Sequence, residues 1–374
     1  MHVLIAALHR PLKPTGVCRH AVNLANCLAQ RSDITQISLI IGVWQQDYFA
    51  QAFAFPSQKI KLINVDIKNS SLARNNWFLW GLPQLVKKIN PDIVHLSFPL
   101  PFFKGKFSIP IVATIHDLYP YECPENFGFP QVWFNRLFLK QCINNSDGLA
   151  CVSRITLDRL KFYFPYLKAQ QIVEVIYNYV DLNLECSAQK APPPLLKSSS
   201  FLLTVAQHRQ NKNLDLLIKA FAKLLNTRQI DGDYQLVIVG SSGPETKNIQ
   251  DLIRELALET QVLLLSAISD RELCWLYQNC RAFVISSSTE GFCLPLAEAL
   301  YLKRRVVCSD IPIFREVGST ECTYFSLEDK VVDNLVRAIA QSLDKSPVRD
   351  SSSSERFNKS KIAQQYLNLY SRLV

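Results

Sequence analysis

The chain is predicted to be an α/β protein built from two Rossmann-like domains in tandem, each a doubly wound parallel sheet. Three observations predict it. Short apolar runs rich in β-branched residues alternate with segments of helical period, a Pro/Ser stretch interrupts this text near the middle, and the same alternation then begins again. With 374 residues, 48% of them apolar and 20% charged, the chain is long enough for two cores and is not a disordered regulator.

In the first half, strands are expected at residues 3–7, 37–41, 60–65, 93–96, 111–115 and 173–176. Between the first two, Ala21, Leu24, Ala25 and Leu28 fall at i, i+3, i+4 and i+7, which gives a helix one packed face and a right-handed crossover. Residues 190–200, KAPPPLLKSSS, suit neither element and read as a linker. The second cycle places strands at 201–205, 235–239, 262–265, 282–285 and 305–308. Helical Leu214, Leu217, Ile218, Phe221 and Leu225 follow the first of these. A polar run after Lys345 precedes an amphipathic tail that must dock on one of the two domains. The expected division is 1–182 and 183–354, with a helix in 355–374 able to pack back on the first. Two sheets facing across a cleft would hold a ligand at their carboxyl ends.

Composition excludes several classes. Apolar stretches are too short to cross a hydrocarbon core of about 30 Å, and the start reads as a strand, not a signal peptide. The eleven cysteines show no C-x-x-C and no Cys/His metal spacing, so a reducing cytoplasmic compartment is expected, without disulfides or zinc. Of the net charge of +9, residues 1–182 carry a surplus of seven. The basic residues form no arm or recognition helix, so nucleic acid is not expected. A phosphorylated substrate or a membrane surface competes well with it, and charge alone does not choose among them.

The most informative segment is 285–305, ISSSTEGFCLPLAEALYLKRR, directly after an apolar strand. Glu290 should lie in the loop, Pro295 in the first helical turn and Glu298 just inside the helix. The helix end offers amide donors and about half a positive charge from Cys293 to Leu296. A phosphate would be drawn there, with the two acids left to accept from hydroxyls. The same acids could instead complement the helix dipole.

These residues resemble those of a known family, the retaining group-1 glycosyltransferases of glycosyltransferase family 4, whose fold is GT-B. The likeness rests on the E-x7-E signature Glu290-Gly-Phe-Cys-Leu-Pro-Leu-Ala-Glu298, with Ser287 at the family's usual serine. It extends to VIYNYVD at 175–181, LVIVGSSG at 236–243, the SDREL.WLYQNC pattern at 269–280 and CSDIPIFREVGS at 308–319. The resemblance implies that Glu290 contacts the donor sugar and Glu298 the nucleotide ribose. Amides near Cys293 and Leu294 would hold the diphosphate, and Gly291 and Phe292 would line the donor site. Cys293 replaces the family's usual glycine.

In AQHRQNKNLDLL, residues 206–217, Lys212 matches the family's diphosphate lysine. Gln207 stands where an arginine is usual, which leaves Arg209 as its substitute or as an ordinary solvated arginine. His116, in IHDLYP after the 111–115 strand, resembles the histidine that faces the donor sugar, although a lone histidine can equally be a structural hydrogen-bonder. Gly16 is what remains of a glycine-rich loop, and could serve phosphate approach or a tight turn of positive φ. Asn178 reads as a hinge or turn residue, with domain closure expected about residues 180–197. Asp231-Gly232-Asp233 spells D-x-D but precedes its strand, so it reads as a turn and no metal is expected.

The resemblance thus implies a metal-independent transfer of a sugar, with retention, from a nucleotide-diphosphate sugar (UDP- or GDP-linked) to an acceptor hydroxyl, with no other cofactor. Aromatic and basic residues interleave at 76–80, 102–106 and 127–140, which fits a glycan or lipid-linked acceptor and a peripheral membrane contact as well as it fits core packing. The rivals are a nucleotide-sugar epimerase or hydrolase of the same fold, or a binding protein that has lost turnover.

Overall fold

The structure is a computed structural model that describes residues 1–12, 15–53, 55–180, 200–266, 268–344 and 356–374. The linker at 190–200, nearly all of the proposed hinge, the 182/183 boundary and the polar run at 346–361 lie largely or wholly outside the described residues. The chain divides into two compact units, Met1–Asp181 with Phe357–Val374, and Leu182–Arg356.

The first unit holds a seven-stranded parallel sheet: β1 (His2–Ala6), β2 (Gln36–Gly42), β3 (Ile60–Val65), β4 (Ile93–Leu96), β5 (Ile111–Ile115), β6 (Gly148–Cys151) and β7 (Ile172–Val175). Their order is β3-β2-β1-β4-β5-β6-β7, so the winding reverses between β1 and β4. Every residue of β4, β5 and β6 is buried, as expected of parallel strands covered on both faces. The Gly16–Leu28 helix starts at Thr15, whose hydroxyl accepts from the Cys18 amide, and it buries Ala21, Leu24, Ala25 and Leu28. The C-terminal helix Lys359–Ser371 buries Ile362, Ala363, Tyr366, Leu367, Leu369 and Tyr370 in the same core. Beyond its end Leu373 crosses β6 at Gly148, where an added Cβ would stand 2.9 Å from the leucine's Cδ1.

The second unit holds β8 (Phe201–Val205), β9 (Gln235–Val239), β10 (Val262–Leu265), β11 (Ala282–Ile285), β12 (Val306–Ser309) and β13 (Thr323–Phe325), ordered β10-β9-β8-β11-β12-β13. Here the reversal falls between β8 and β11. The loops leaving those two neighbours therefore start side by side at the carboxyl edge and carry helices to opposite faces. This topology brings residues 206–213 and 286–290 together. Among the described residues no helix is long and apolar enough to cross a membrane.

Candidate active site

The loop after β8 is stapled to the loop after β11 by polar contacts that its own residues supply. Asn211 Nδ2 donates to the Thr289 carbonyl at 3.2 Å, and Asn213 Nδ2 to the Ser286 carbonyl at 3.0 Å. The Ser288 amide donates back to the Asn211 carbonyl at 2.9 Å. Ser286 Oγ lies 2.9 Å from the carbonyl oxygens of both Lys212 and Asn213. Asn213 has φ +48°, a left-handed conformation that asparagine tolerates, and from it the Leu214–Asn226 helix departs. Two glycines of LVIVGSSG complete the fit: a Cβ on Gly240 would meet the Ala206 oxygen at 1.9 Å, and one on Gly243 the His208 oxygen at 2.3 Å.

Across this staple Lys212 Nζ donates to Glu290 Oε1 at 2.5 Å, and Ser287 Oγ donates to the same oxygen at 2.8 Å. The lysine side chain is 15% exposed and the glutamate 9%, so the ion pair is nearly dry. Such a pair interacts strongly and costs much to desolvate, an arrangement more useful for holding charge in place than for stability. Ser309 Oγ fixes the Ser287 carbonyl from β12. Arg209 lies half-buried three residues before Lys212, and its amide closes a tight turn on the Gln207 carbonyl at 2.8 Å.

Beyond buried Gly291 and Phe292, the chain enters the Leu294–Tyr301 helix through Cys293, whose φ is +68°. This is the physical reason a glycine suits the position, and a cysteine there carries roughly 1–3 kcal/mol of backbone strain. Burial, then the Glu290 carboxylate, push the Cys293 thiol well above its usual range, so it stays a neutral thiol. The Leu296 amide already donates to the Cys293 carbonyl at 3.1 Å, which corrects the expectation that amides as far as Leu296 face a ligand. The dipole-complement reading is also corrected. Neither Glu290 nor Glu298 lies in the helix's first turn, and Glu298 is buried at its fifth residue. Tyr277 OH donates to Glu298 Oε2 at 2.9 Å from the Asp270–Asn279 helix. That tyrosine, which nothing in its local spacing marks, holds the second acid of the signature.

In the first unit His116 directly follows β5. Its Nε2 lies 2.8 Å from the Ser97 carbonyl, which only accepts, so Nε2 carries the proton and Nδ1 is the ring's acceptor. Burial lowers its pKa, against the opposite pull of the Ser97 carbonyl and the Asp117 carboxylate. Gly16 opens the Gly16–Leu28 helix with no positive φ, and an added Cβ would meet open space. The reading of Gly16 as a tight turn of positive φ is therefore wrong. Asn178 is buried, and its Oδ1 accepts from His20 Nδ1 at 2.7 Å. Asp231 and Asp233 are exposed at the amino end of β9, away from the edge that carries the ion pair.

Buried imidazoles give the fold a pH signature. Burial drives the pKa of His95 down to about 3 and that of His9 to about 4. Below pH 6.5 the unfolded chain binds protons at these rings that the folded chain refuses, so stability rises with pH and is lost as pH falls. Each ring contributes a slope of up to about 1.4 kcal/mol per pH unit. Urea unfolding should give a midpoint that is level above pH 7 and falls steadily from pH 6.5 to 4.5. A constant midpoint over that range would contradict the burial of these rings as neutral groups.

Two family models cover most of the chain: Glycosyltransferase Family 4 matches residues 14–184, and Glycosyl transferases group 1 matches residues 187–361. The chain is 26% identical over 321 residues to the O-antigen chain mannosyltransferase RfbU of Salmonella typhimurium, covering 84% of each. Among solved structures it is similar to the sucrose-phosphate synthase of Thermosynechococcus elongatus, with TM-score 0.72, 18% identity and coverage of 100% and 98%. It is also similar to Anabaena Alr3699/HepE in complex with UDP and glucose, with TM-score 0.70, 18% identity and full coverage of both chains. The two Rossmann-like parallel sheets are those of the GT-B fold. With its signature acids on the loop and helix after β11, this chain belongs to the group-1 glycosyltransferases of family 4 and is a glycosyltransferase.

Proposed function

We propose that the protein transfers a hexose, with retention and without a metal ion, from a nucleotide-diphosphate sugar to an acceptor hydroxyl in polysaccharide synthesis. The observation that carries this reading is the nearly dry Lys212–Glu290 pair, hydrogen-bonded to Ser287 and set beside the entrance of the Leu294–Tyr301 helix. The diphosphate lies on the Lys212 ammonium and the amides of Cys293 and Leu294, with Arg209 as a second cation. Glu290 accepts from the sugar hydroxyls and Glu298, held by Tyr277, from the ribose. His116 presents its Nδ1 to the donor sugar, and Gly16 leaves space for the phosphates. In the reaction the bond from the anomeric carbon to the diphosphate oxygen breaks and one to the acceptor oxygen forms on the same face. The acceptor's proton passes to the leaving diphosphate, whose growing charge the two cations and the helix end stabilise.

The name of RfbU favours mannose as the sugar, and the UDP held by Alr3699/HepE supports a nucleoside diphosphate as the carrier. A melting-temperature screen of UDP-, GDP- and ADP-sugars tests this. The matching donor at 100 times its Kd stabilises by about 2.7 kcal/mol. Transfer by that donor to a glycan acceptor in the presence of EDTA completes the test. Stabilisation by no sugar nucleotide, or loss of transfer with the chelator, overturns the reading.

The protein works on a glycan or lipid-linked acceptor at the cytoplasmic face of a membrane, reached through the first unit. Phe78 and Phe102 are core residues, but Trp80 and Phe103 stay about half exposed. Lys106 Nζ stands 2.9 Å from the Trp80 ring centroid, and Lys87 lines the same groove of about 550 Å³. Aromatic rings interleaved with lysines suit an anionic headgroup layer. Vesicles containing phosphatidylglycerol should sediment the protein and neutral ones should not, with Trp80→Ala/Lys106→Glu lowering the bound fraction several-fold. Equal sedimentation of the variant would remove this surface from the account.

A further inference from the structure

Behind His116 lies a row of buried polar side chains that the transfer reaction as described above does not use. Tyr370 OH, on the C-terminal helix, is 2.7 Å from His95 Nδ1 on β4. His95 Nε2 is 2.8 Å from Thr114 Oγ1 on β5, and Thr114 Oγ1 is 3.2 Å from His20 Nε2 on the Gly16–Leu28 helix. His20 Nδ1 ends the row at 2.7 Å from Asn178 Oδ1. His95, Thr114 and Tyr370 are wholly buried, and His20 and Asn178 nearly so.

The donor and acceptor inventory gives this row one polarity. Asn178 Oδ1 only accepts, so His20 Nδ1 carries the ring proton and His20 Nε2 must accept. The Thr114 hydroxyl fills that need and in turn accepts from His95 Nε2–H, which leaves His95 Nδ1 to accept from Tyr370 OH. Read the other way, two lone pairs would face each other 2.7 Å apart at His20 and Asn178. His95, Thr114 and His20 each make two of these bonds and the two end groups one each, without a charge, and a cooperative chain of this kind fixes ring orientations more firmly than separate bonds would. Burial holds His20 and His95 well below their ordinary pKa, which keeps both rings neutral.

His20 is also the ring against which His116 stands, edge to face, with centroids 4.7 Å apart and planes at 89°. Thr114 lies on β5, two residues before His116, which directly follows that strand. We propose that Tyr370, His95, Thr114 and His20 form a one-directional hydrogen-bond chain that positions His116, making the C-terminal helix a support for the donor-facing histidine. The inference rests on the reading of His116 as facing the donor sugar.

The test uses the full chain labelled with 15N-histidine. Ring-nitrogen NMR should show His20 as the Nδ1–H tautomer and His95 as the Nε2–H tautomer. Thr114→Val removes the hydroxyl at nearly constant volume, and Tyr370→Phe keeps the ring. Both should shift the His20 and His116 ring signals and lower kcat about tenfold, with the donor KM within twofold. Thr114→Ser should rescue both readouts. His20 found as the Nε2–H tautomer overturns the chain. Unchanged kcat in folded Thr114→Val or Tyr370→Phe overturns the positioning role, and having two such variants guards against the misfolding of one. Full transfer by His116→Ala would sink the donor-facing reading instead, while the tautomers would still report on the chain.

Discussion

Glu290→Gln should lower kcat for sugar transfer by about 10²- to 10³-fold, the usual cost of removing a preorganised group that meets charge developing in the transition state. The change keeps the side chain's shape but leaves the nearly dry Lys212 ammonium without its counter-charge, so a lower melting temperature is expected as well. A glutamine oxygen can still accept from Lys212 Nζ and Ser287 Oγ, so the two loops keep their register. What is lost is the negative charge next to the sugar and the strong acceptor for its hydroxyls. Nucleoside diphosphate affinity, which depends on Lys212 and the helix entrance, should stay within a few-fold by calorimetry. Wild-type turnover in this variant would remove Glu290 from the site.

Lys212→Met should do more, because it takes away the cation for the diphosphate and strands a buried carboxylate. Breaking one side of a buried pair costs on the order of 3–5 kcal/mol, so the second unit should melt several degrees lower. Transfer should fall by at least 10²-fold and nucleoside diphosphate binding by tenfold or more. The double variant Glu290→Gln/Lys212→Met separates the two effects. It should regain most of the lost melting temperature, since no unpaired charge is left, and none of the lost transfer. Recovery of activity along with stability would mean that Lys212 acts only as a counter-ion for Glu290.

Much of this was legible before any coordinates. The strands at 60–65, 93–96, 111–115, 201–205, 235–239, 262–265 and 282–285 stand where β-branched and apolar runs placed them. The inner strands need continuous apolar text because both their faces are covered, whereas the edge strand β3, IKLINV, carries polar residues and is only partly buried. β6 and β13 escaped notice. Gly148-Leu-Ala-Cys151 contains no β-branched residue, and Thr323-Tyr-Phe325 is three residues long, so tertiary pairing with β5 and β12 makes these strands. The E-x7-E signature located both acids on the right loop and helix. It did not reveal that Cys293 sits at positive φ, because a left-handed backbone is advertised by glycine and hidden by any other side chain. Nor could spacing find Tyr277, Asn211 or the His95–Thr114–His20 row. Their partners lie 19 to 94 positions away and meet only through sheet order.

The central claim is that the loop after β8 and the helix after β11 receive the diphosphate of a sugar nucleotide. A crystal structure of the protein with UDP or GDP tests it most directly. The account predicts the diphosphate oxygens within about 3 Å of Lys212 Nζ and of the Cys293 and Leu294 amides, with the ribose hydroxyls on Glu298. A nucleotide bound at any other edge of the sheets, with Lys212 still closed on Glu290, would contradict it.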